Sequence, residues 1–500
     1  MLVKSLVCGL GPGILAGAGR GMDTVLGFGE LNVSLMRSWL VVGLWLCVIV
    51  ACNGPSSDPG SETDRALRRL IQANGLKGDP ASGLELPSID DPVAVLGRKL
   101  FFSKSLGGNR DSACVSCHHP MLGGGDGLAQ SIGVGAEEQD LLGPGRSHPD
   151  GDLTVPRNAP TTFNLALWQK GLFWDSRVEN LEGGGTRTPD SDFGTPDPDA
   201  GASISEAQSR FPVTSAEEMR GFDFVLDGSN AEVRTALEQR LVEDGNWVEE
   251  FAAAFDSSEI SYGRIAEAIA AYEDSQVFTR TPWRAYVEGN LEAIGDSAKR
   301  GAILFFRTTE DGGADCASCH AGDFFTDEDF HSICAPQIGR GKGDGFLGSN
   351  DHGRARENDD RNYRFSFRTP TLLNVSATGP YLHSGAYDEL ADVVRHHLDP
   401  RAAIERFDPS SVPLAASDDF DRNTQEMLDF LEVSGRPIEF FDAPFDHTAE
   451  QVEDLVAFLG TLTDPCVLDR ECLTPWIADP STDDVNQGLL VAVDQEGSPL

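Results

Sequence analysis

The sequence predicts a mostly α-helical fold in which two similar domains carry long loops. One unit is repeated. Leu96-Gly-Arg-Lys-Leu-Phe-Phe102 precedes Cys114-Val-Ser-Cys-His118 by about a dozen residues, and Arg300-Gly-Ala-Ile-Leu-Phe-Phe306 precedes Cys316-Ala-Ser-Cys-His320 by about ten. In a chain of 500 residues, such a repeat implies two related domains. Apolar residues recur at helical spacing at Val233, Leu237 and Leu241, at Ile265 and Ile269, and at Val452, Leu455, Val456, Leu459 and Leu462. Strand-like alternation is scarce. The stretches 183–202 and 340–362 are rich in Gly, Pro and Asp, as loops are.

The elements follow in order. Residues 1–52 read as a leader, with Met36 as an alternative true start. Arg37 is its positive region, Leu40–Val50 its apolar region, and Ile49-Val50-Ala51-Cys52 resembles a lipobox, which would make Cys52 a lipidated first residue. The other reading is an ordinary cleaved signal with Cys52 incidental, and both export the chain. A flexible tether is expected over 53–85. A first domain is expected over 86–290, a second over 291–475, and a tail over 476–500. The boundary falls in the polar stretch 285–295.

Composition narrows the partners. Hydrophobic residues at 40% and charged residues at 24% are globular proportions. With 80 Asp+Glu against 39 Lys+Arg, the formal charge is −41. Phosphate backbones would be repelled, which excludes nucleic acid. Cationic partner proteins are permitted; a solvated acidic surface is the other reading. No apolar run reaches the ~18 residues of a spanning helix, so membrane contact is expected only through a lipid anchor.

The two Cys-x-x-Cys-His motifs read as c-type haem attachment sites. Cys114 and Cys117, and likewise Cys316 and Cys319, can each reach the two vinyl groups of one haem. His118 and His320 then lie under the irons as proximal ligands. A zinc site would want the cysteine pairs close together, and about 200 residues separate them. A redox dithiol would want a βαβ context, which is missing. Such haem is attached outside the cytoplasm, in agreement with the leader. In an oxidising compartment Cys466 and Cys472 are expected to pair across a short loop, with free buried thiols as the alternative. Cys334 is left unassigned.

The sixth position of each iron decides its chemistry: filled, it transfers electrons; open, it binds peroxide. In Asp388–Leu398, a turn of ~100° per residue puts Leu390, Val393, Val394 and His397 on one face, with His396 off it. His397 is therefore the expected second ligand of the iron on His320. After the first motif no His or Met offers itself as a distal ligand; Met121 is too near the attachment loop. The first iron is expected to be open, with a carboxylate among Glu217, Glu218 and several Asp to move the peroxide proton.

From about 90 to 465 the chain resembles the bacterial di-haem cytochrome c peroxidases and their MauG-type relatives. The resemblance is carried by Leu96–Phe102, both haem motifs, GGGDGLAQSIG (123–133), Arg157-Asn-Ala-Pro-Thr161, Phe173-Trp-Asp-Ser-Arg177, Glu218-Met219, Arg368-Thr-Pro-Thr-Leu-Leu-Asn374 and Pro380-Tyr-Leu-His-Ser-Gly385. It implies two cytochrome c-like haem domains with the haems near their interface. The haem on His118 would be peroxidatic, and that on His320 would transfer electrons. Trp174 would relay between them. Glu218 would aid cleavage of the peroxide bond, and Pro212 would line the pocket. A calcium would be held by the Asn158 side chain and the carbonyls of Thr378 and Pro380, oxygen ligands suited to a hard cation.

There are departures from the family pattern. Where classical members carry a blocking His, this chain has Val134, so the oxidised protein is expected to bind peroxide without prior reduction. His397 stands where relatives use Met or Tyr. The usual distal Gln falls at Gly183–Gly185, before an insertion of about 20 residues. Ala314 replaces the surface Trp that MauG uses as an exit. The resemblance thus implies hydrogen peroxide as oxidant and a periplasmic, outer-membrane-anchored enzyme. Its reductant would be a small cytochrome or cupredoxin, or a protein side chain being modified. Family members are often dimers, which allows a homodimer here. The non-enzymatic alternative is a di-haem electron-transfer lipoprotein or redox sensor with both irons six-coordinate.

Overall fold

Helix α1 spans Glu62–Ala73, and α2 spans Pro92–Phe102. The computed structural model describes residues 60–151, 154–358, 360–412, 418–434 and 444–500, so the leader with Met36 and Cys52 lies outside the described residues. Further helices are α3 (Ile204–Ser209), α4 (Asn230–Glu243), α5 (Trp247–Phe255), α6 (Tyr262–Asp274), α7 (Pro282–Val287), α8 (Asp296–Phe306), α9 (Ala355–Asn358), α10 (Leu390–Leu398), α11 (Pro400–Arg406), α12 (Phe420–Ser434), α13 (Ala449–Gly460) and α14 (Arg470–Leu473). Strands are two or three residues long. Gly171–Leu172 (β1), Val178–Asn180 (β2) and Thr186–Arg187 (β3) form an antiparallel meander, and Phe330–His331 (β4) pairs antiparallel with Phe367–Arg368 (β5).

The repeated heptapeptides are the ends of α2 and α8, and the packing explains the repeat. Gly97 of α2 lies against α6, where an added Cβ would stand 1.8 Å from the Ala268 carbonyl oxygen. Gly301 of α8 lies against α13, where a Cβ would stand 1.8 Å from the Asp454 carbonyl oxygen. Only glycine permits so close a crossing. One turn on, Phe101 meets Tyr272 with ring centroids 4.9 Å apart, and Phe305 meets Phe458 at 5.1 Å. The first crossing sits in a core with Leu237, Trp247, Phe251 and Ile265; the second sits in a core with Leu67, Trp283, Leu455 and Leu459.

Two expectations need correction. The stretch expected as a tether holds α1. Ser61 and Asp64 form a reciprocal capping box, and Leu67 and Ile71 enter the second core. Burial opposes ionisation of Asp64, but the Lys299 ammonium at 2.8 Å and the Ser61 and Tyr286 donors hold its carboxyl well below the usual range. The expected tail is also packed. Leu490 donates its N–H to the Phe102 carbonyl, and Leu489, Leu490 and Ala492 belong to the first core. Cys466 and Cys472 are disulfide-bonded, as the spacing predicts, and Cys334 is a buried free thiol.

Candidate functional site

Both Cys-x-x-Cys-His motifs fold as one 3-10 turn, Cys114–Ser116 and Cys316–Ser318. The His118 and His320 backbone N–H groups donate to the carbonyls of Cys114 and Cys316, at 3.1 and 2.9 Å. That turn brings both thiols and the imidazole to one side. All four thiols are unpaired, and they line one continuous cavity together with His118 and His320. Nδ1 of His118 lies 3.0 Å from the Gly124 carbonyl oxygen, and Nδ1 of His320 lies 3.2 Å from that of Phe325. A backbone acceptor on Nδ1 fixes the tautomer and leaves Nε2 free to ligate. Burial pushes both imidazoles toward the neutral, ligating form; His320, with His397 beside it, goes down to about 4.

Around His320 the site is two-sided. His397, on α10, spends Nδ1 on its own helix at the Val393 carbonyl, 2.8 Å away. Its ring centroid lies 6.5 Å from that of His320. Two imidazoles on opposite faces of one metal, each bonded at ~2.0 Å, have centroids roughly 6 Å apart. The neighbouring His396 is a satisfied core residue: Nε2 meets the Ile333 carbonyl at 2.7 Å and Nδ1 meets the Tyr387 hydroxyl at 2.8 Å.

Around His118 the site is one-sided, and no facing ring stands at such a distance among the described residues. Met219 lies at the attachment edge, with its sulfur 3.9 Å from Cys114 Sγ. Val134 is buried, and its N–H donates to the Glu217 carbonyl, so it sits beside the Glu217–Glu218 turn. Pro212 and Glu218 line the cavity. Burial raises the Glu218 carboxyl above its ordinary range, while Arg177 at 3.9 Å and Lys342 pull it back. Arg177 lies over the Phe173 ring, 3.5 Å from its centroid. Gly183–Gly185 form the β2–β3 turn, away from the cavity lining.

Trp174 stands at the tip of the β1–β2 hairpin, buried and lining the cavity. Its indole N–H donates to the Asn158 carbonyl at 2.9 Å, and its own carbonyl accepts from Arg368 N–H at 2.9 Å. Asn158 donates Nδ2 to the Leu128 carbonyl, its Oδ1 has no hydrogen-bond partner among the described residues, and Thr378 and Pro380 line the same cavity. Ala314 is buried in the second core and offers no surface exit.

Sequence reasoning missed two cations. Buried Arg368 lies over Trp168 at 3.4 Å and donates Nε to the Phe173 carbonyl, but its Nη1 has no hydrogen-bond partner among the described residues. Burial pushes its pKa down to about 9 against Glu328 and Asp175. A cation so placed on the cavity wall suits a carboxylate-bearing group such as haem. The thiols, the free Nε2 atoms and Arg368 together fit two covalently held haems. The other cation is Lys342, a single lysine in a glycine-rich loop whose only sequence signal is that spacing.

A family model described as di-haem cytochrome c peroxidase matches residues 92–292. The chain is 26% identical over 408 residues to the methylamine utilization protein MauG of Methylorubrum extorquens, covering 81% of this chain and 95% of that protein. It is 27% identical over 328 residues to the cytochrome c551 peroxidase of Pseudomonas aeruginosa, covering 65% of this chain and 74% of that protein. The crystal structure of the diheme peroxidase BthA from Burkholderia thailandensis shares the fold at a TM-score of 0.51 and 23% identity, covering 78% of this chain and 90% of that one. With two attachment motifs opening into one cavity and relatives of both kinds spanning most of the chain, the protein is similar in sequence and fold to the di-haem cytochrome c peroxidases and MauG.

Proposed function

We propose that the protein reduces hydrogen peroxide at the site on His118, with electrons reaching it from the site on His320. The observation that carries this is the asymmetry: His397 faces His320 at 6.5 Å between ring centroids, and no ring faces His118 in that way among the described residues. When bound, the haem iron supplies the place where peroxide coordinates and is reduced. The chain supplies the rest. His118 and His320 are the proximal ligands, His397 is the second ligand at the rear site, and the four motif cysteines hold the two haems. Glu218 accepts the first peroxide proton and returns it to the departing oxygen, while Pro212 limits the pocket. Trp174 is the relay; its position in the cavity wall, tied to Asn158 and Arg368, supports that role.

The two halves, 86–290 and 291–475, act as haem domains. Asn158 Oδ1 with the Thr378 and Pro380 carbonyls holds a calcium between them, a reading supported by the amide nitrogen being spent elsewhere. The reductant is a small cationic carrier protein, a reading supported by the charge of −41 and the burial of Ala314. The Cys466–Cys472 disulfide supports an oxidising compartment. No helix among the described residues is long and apolar enough to cross a membrane.

Two measurements test the proposal. Electron paramagnetic resonance of the oxidised protein should give one high-spin and one low-spin ferric signal, and mixing with peroxide in a stopped-flow spectrometer should shift the Soret band without prior reduction. Two low-spin signals with an unchanged Soret band would make the protein an electron carrier instead.

A further inference from the structure

The pocket beside Glu218 is lined by two cations, and the loop carrying one of them is tightly clamped. Lys342 follows Arg340, whose guanidinium donates to Glu217 Oε1 at 2.8 Å and to the Thr154 carbonyl at 3.3 Å. The Lys342 N–H donates to the Asn350 carbonyl at 2.9 Å, and its own carbonyl accepts from Arg356 at 2.8 Å. Arg356 is held in turn by Asp344 at 2.6 Å. At Gly341 a Cβ would stand 2.2 Å from the Ser349 carbonyl oxygen, so the loop closes on itself immediately before the lysine. Both flanks are therefore fixed, and the side chain is left to line the cavity with Arg177 and Glu218.

No carboxylate among the described residues forms a direct ion pair with Lys342. Arg157 takes both carboxylates within its reach, Asp175 and Asp351, at 2.5 and 2.6 Å. Arg177 shares Asp175 at 3.4 Å and Glu218 at 3.9 Å. The Lys342 ammonium has no hydrogen-bond partner among the described residues, and burial together with Arg177 and Arg157 presses its pKa downward, against the opposing pull of Asp175 and Glu218. An ammonium so held is a donor for an oxygen or halide that carries negative charge.

We propose that Lys342, with Arg177, makes the pocket beside Glu218 a binding site for small anions and for hydroperoxide. This rests on the open front site argued above. The chemistry balances without further reactants. Glu218 as carboxylate takes one proton from hydrogen peroxide and becomes the acid, the hydroperoxide anion remains, and Lys342 keeps its proton while donating a hydrogen bond to that anion. A neutral amide in this place would bind the anion less well, because a charge-assisted hydrogen bond is about twice as strong as a neutral one.

The test is fluoride binding to the oxidised, haem-loaded protein, followed by its visible spectrum and needing no turnover. K342M should weaken fluoride binding by on the order of ten- to a hundredfold. K342R should stay within a few-fold of wild type, while binding of neutral imidazole should change little in either variant. An unchanged low-spin signal from the rear site checks that K342M is folded. Equal fluoride affinity in wild type and K342M overturns this proposal alone. Equal losses for fluoride and imidazole overturn it too, since the effect would then be steric. A wild-type protein that binds no fluoride overturns both this proposal and the open front site.

Discussion

Glu218 should set the acid limb of peroxide turnover. Burial raises its carboxyl while Arg177 and Lys342 act against that shift. The ionised form is the proton acceptor, so activity is lost as pH falls through the raised value. The acid limb of kcat/KM should therefore lie above ~4.3, the value of a free glutamate. E218Q should lower kcat/KM for peroxide by about 10²–10⁴-fold and remove that limb. An unaltered pH profile in E218Q would reassign the base. At the rear site, H397M should raise the midpoint potential, because His/Met ligation sits higher than His/His. H397A should convert the low-spin signal to high-spin while leaving fluoride binding at the front site intact. A low-spin signal that survives H397A would mean that another side chain ligates.

At the scale of elements, the two glycine crossings are the most sensitive points. G301V puts a branched side chain where even a Cβ would stand 1.8 Å from a backbone oxygen. The helices must part, which should cost about 1–3 kcal/mol. Thermal unfolding should show it as a lower midpoint, and the equivalent G97V should behave alike; an unchanged midpoint would mean that the helices cross with slack. This is also why the heptapeptide repeat was readable: α2 and α8 solve the same packing problem with the same residues. Helix α1 was not read, although its Ser61–Asp64 box and Leu67, Leu70 and Ile71 were present. The polar run before it resembles a linker, and the core that receives its apolar face is built from residues more than 200 positions on. The segment 476–500 was misread for a similar reason, since its partners Phe102 and Leu141 belong to the first core's end of the chain.

Over the whole molecule, Arg157 ties distant stretches together. Its Nε and Nη2 reach both oxygens of Asp351, and Nη1 reaches Asp175. Burial opposes ionisation of both acids, but Arg157 outweighs it and holds them well below the usual range. Because their folded pKa values are depressed, this stabilisation is fully present above ~3.9 and disappears only as pH falls toward the folded values. R157M would strand two buried carboxylates and should cost about 3–5 kcal/mol by denaturant unfolding, with a steeper loss of stability in acid. A loss within 0.5 kcal/mol would mean that water reaches both acids. The shared fold of the two Cys-x-x-Cys-His turns and the helix face that carries His397 to the cavity were legible in the residue order, because each depends on neighbours within one or two turns. Which side chains share the cavity, that Arg368 and Lys342 bring charge to it, and that Glu62–Ala73 and the segment 476–500 pack into the cores were decided only by folding. Those contacts join residues a hundred or more positions apart, and nothing in local spacing encodes which of them meet.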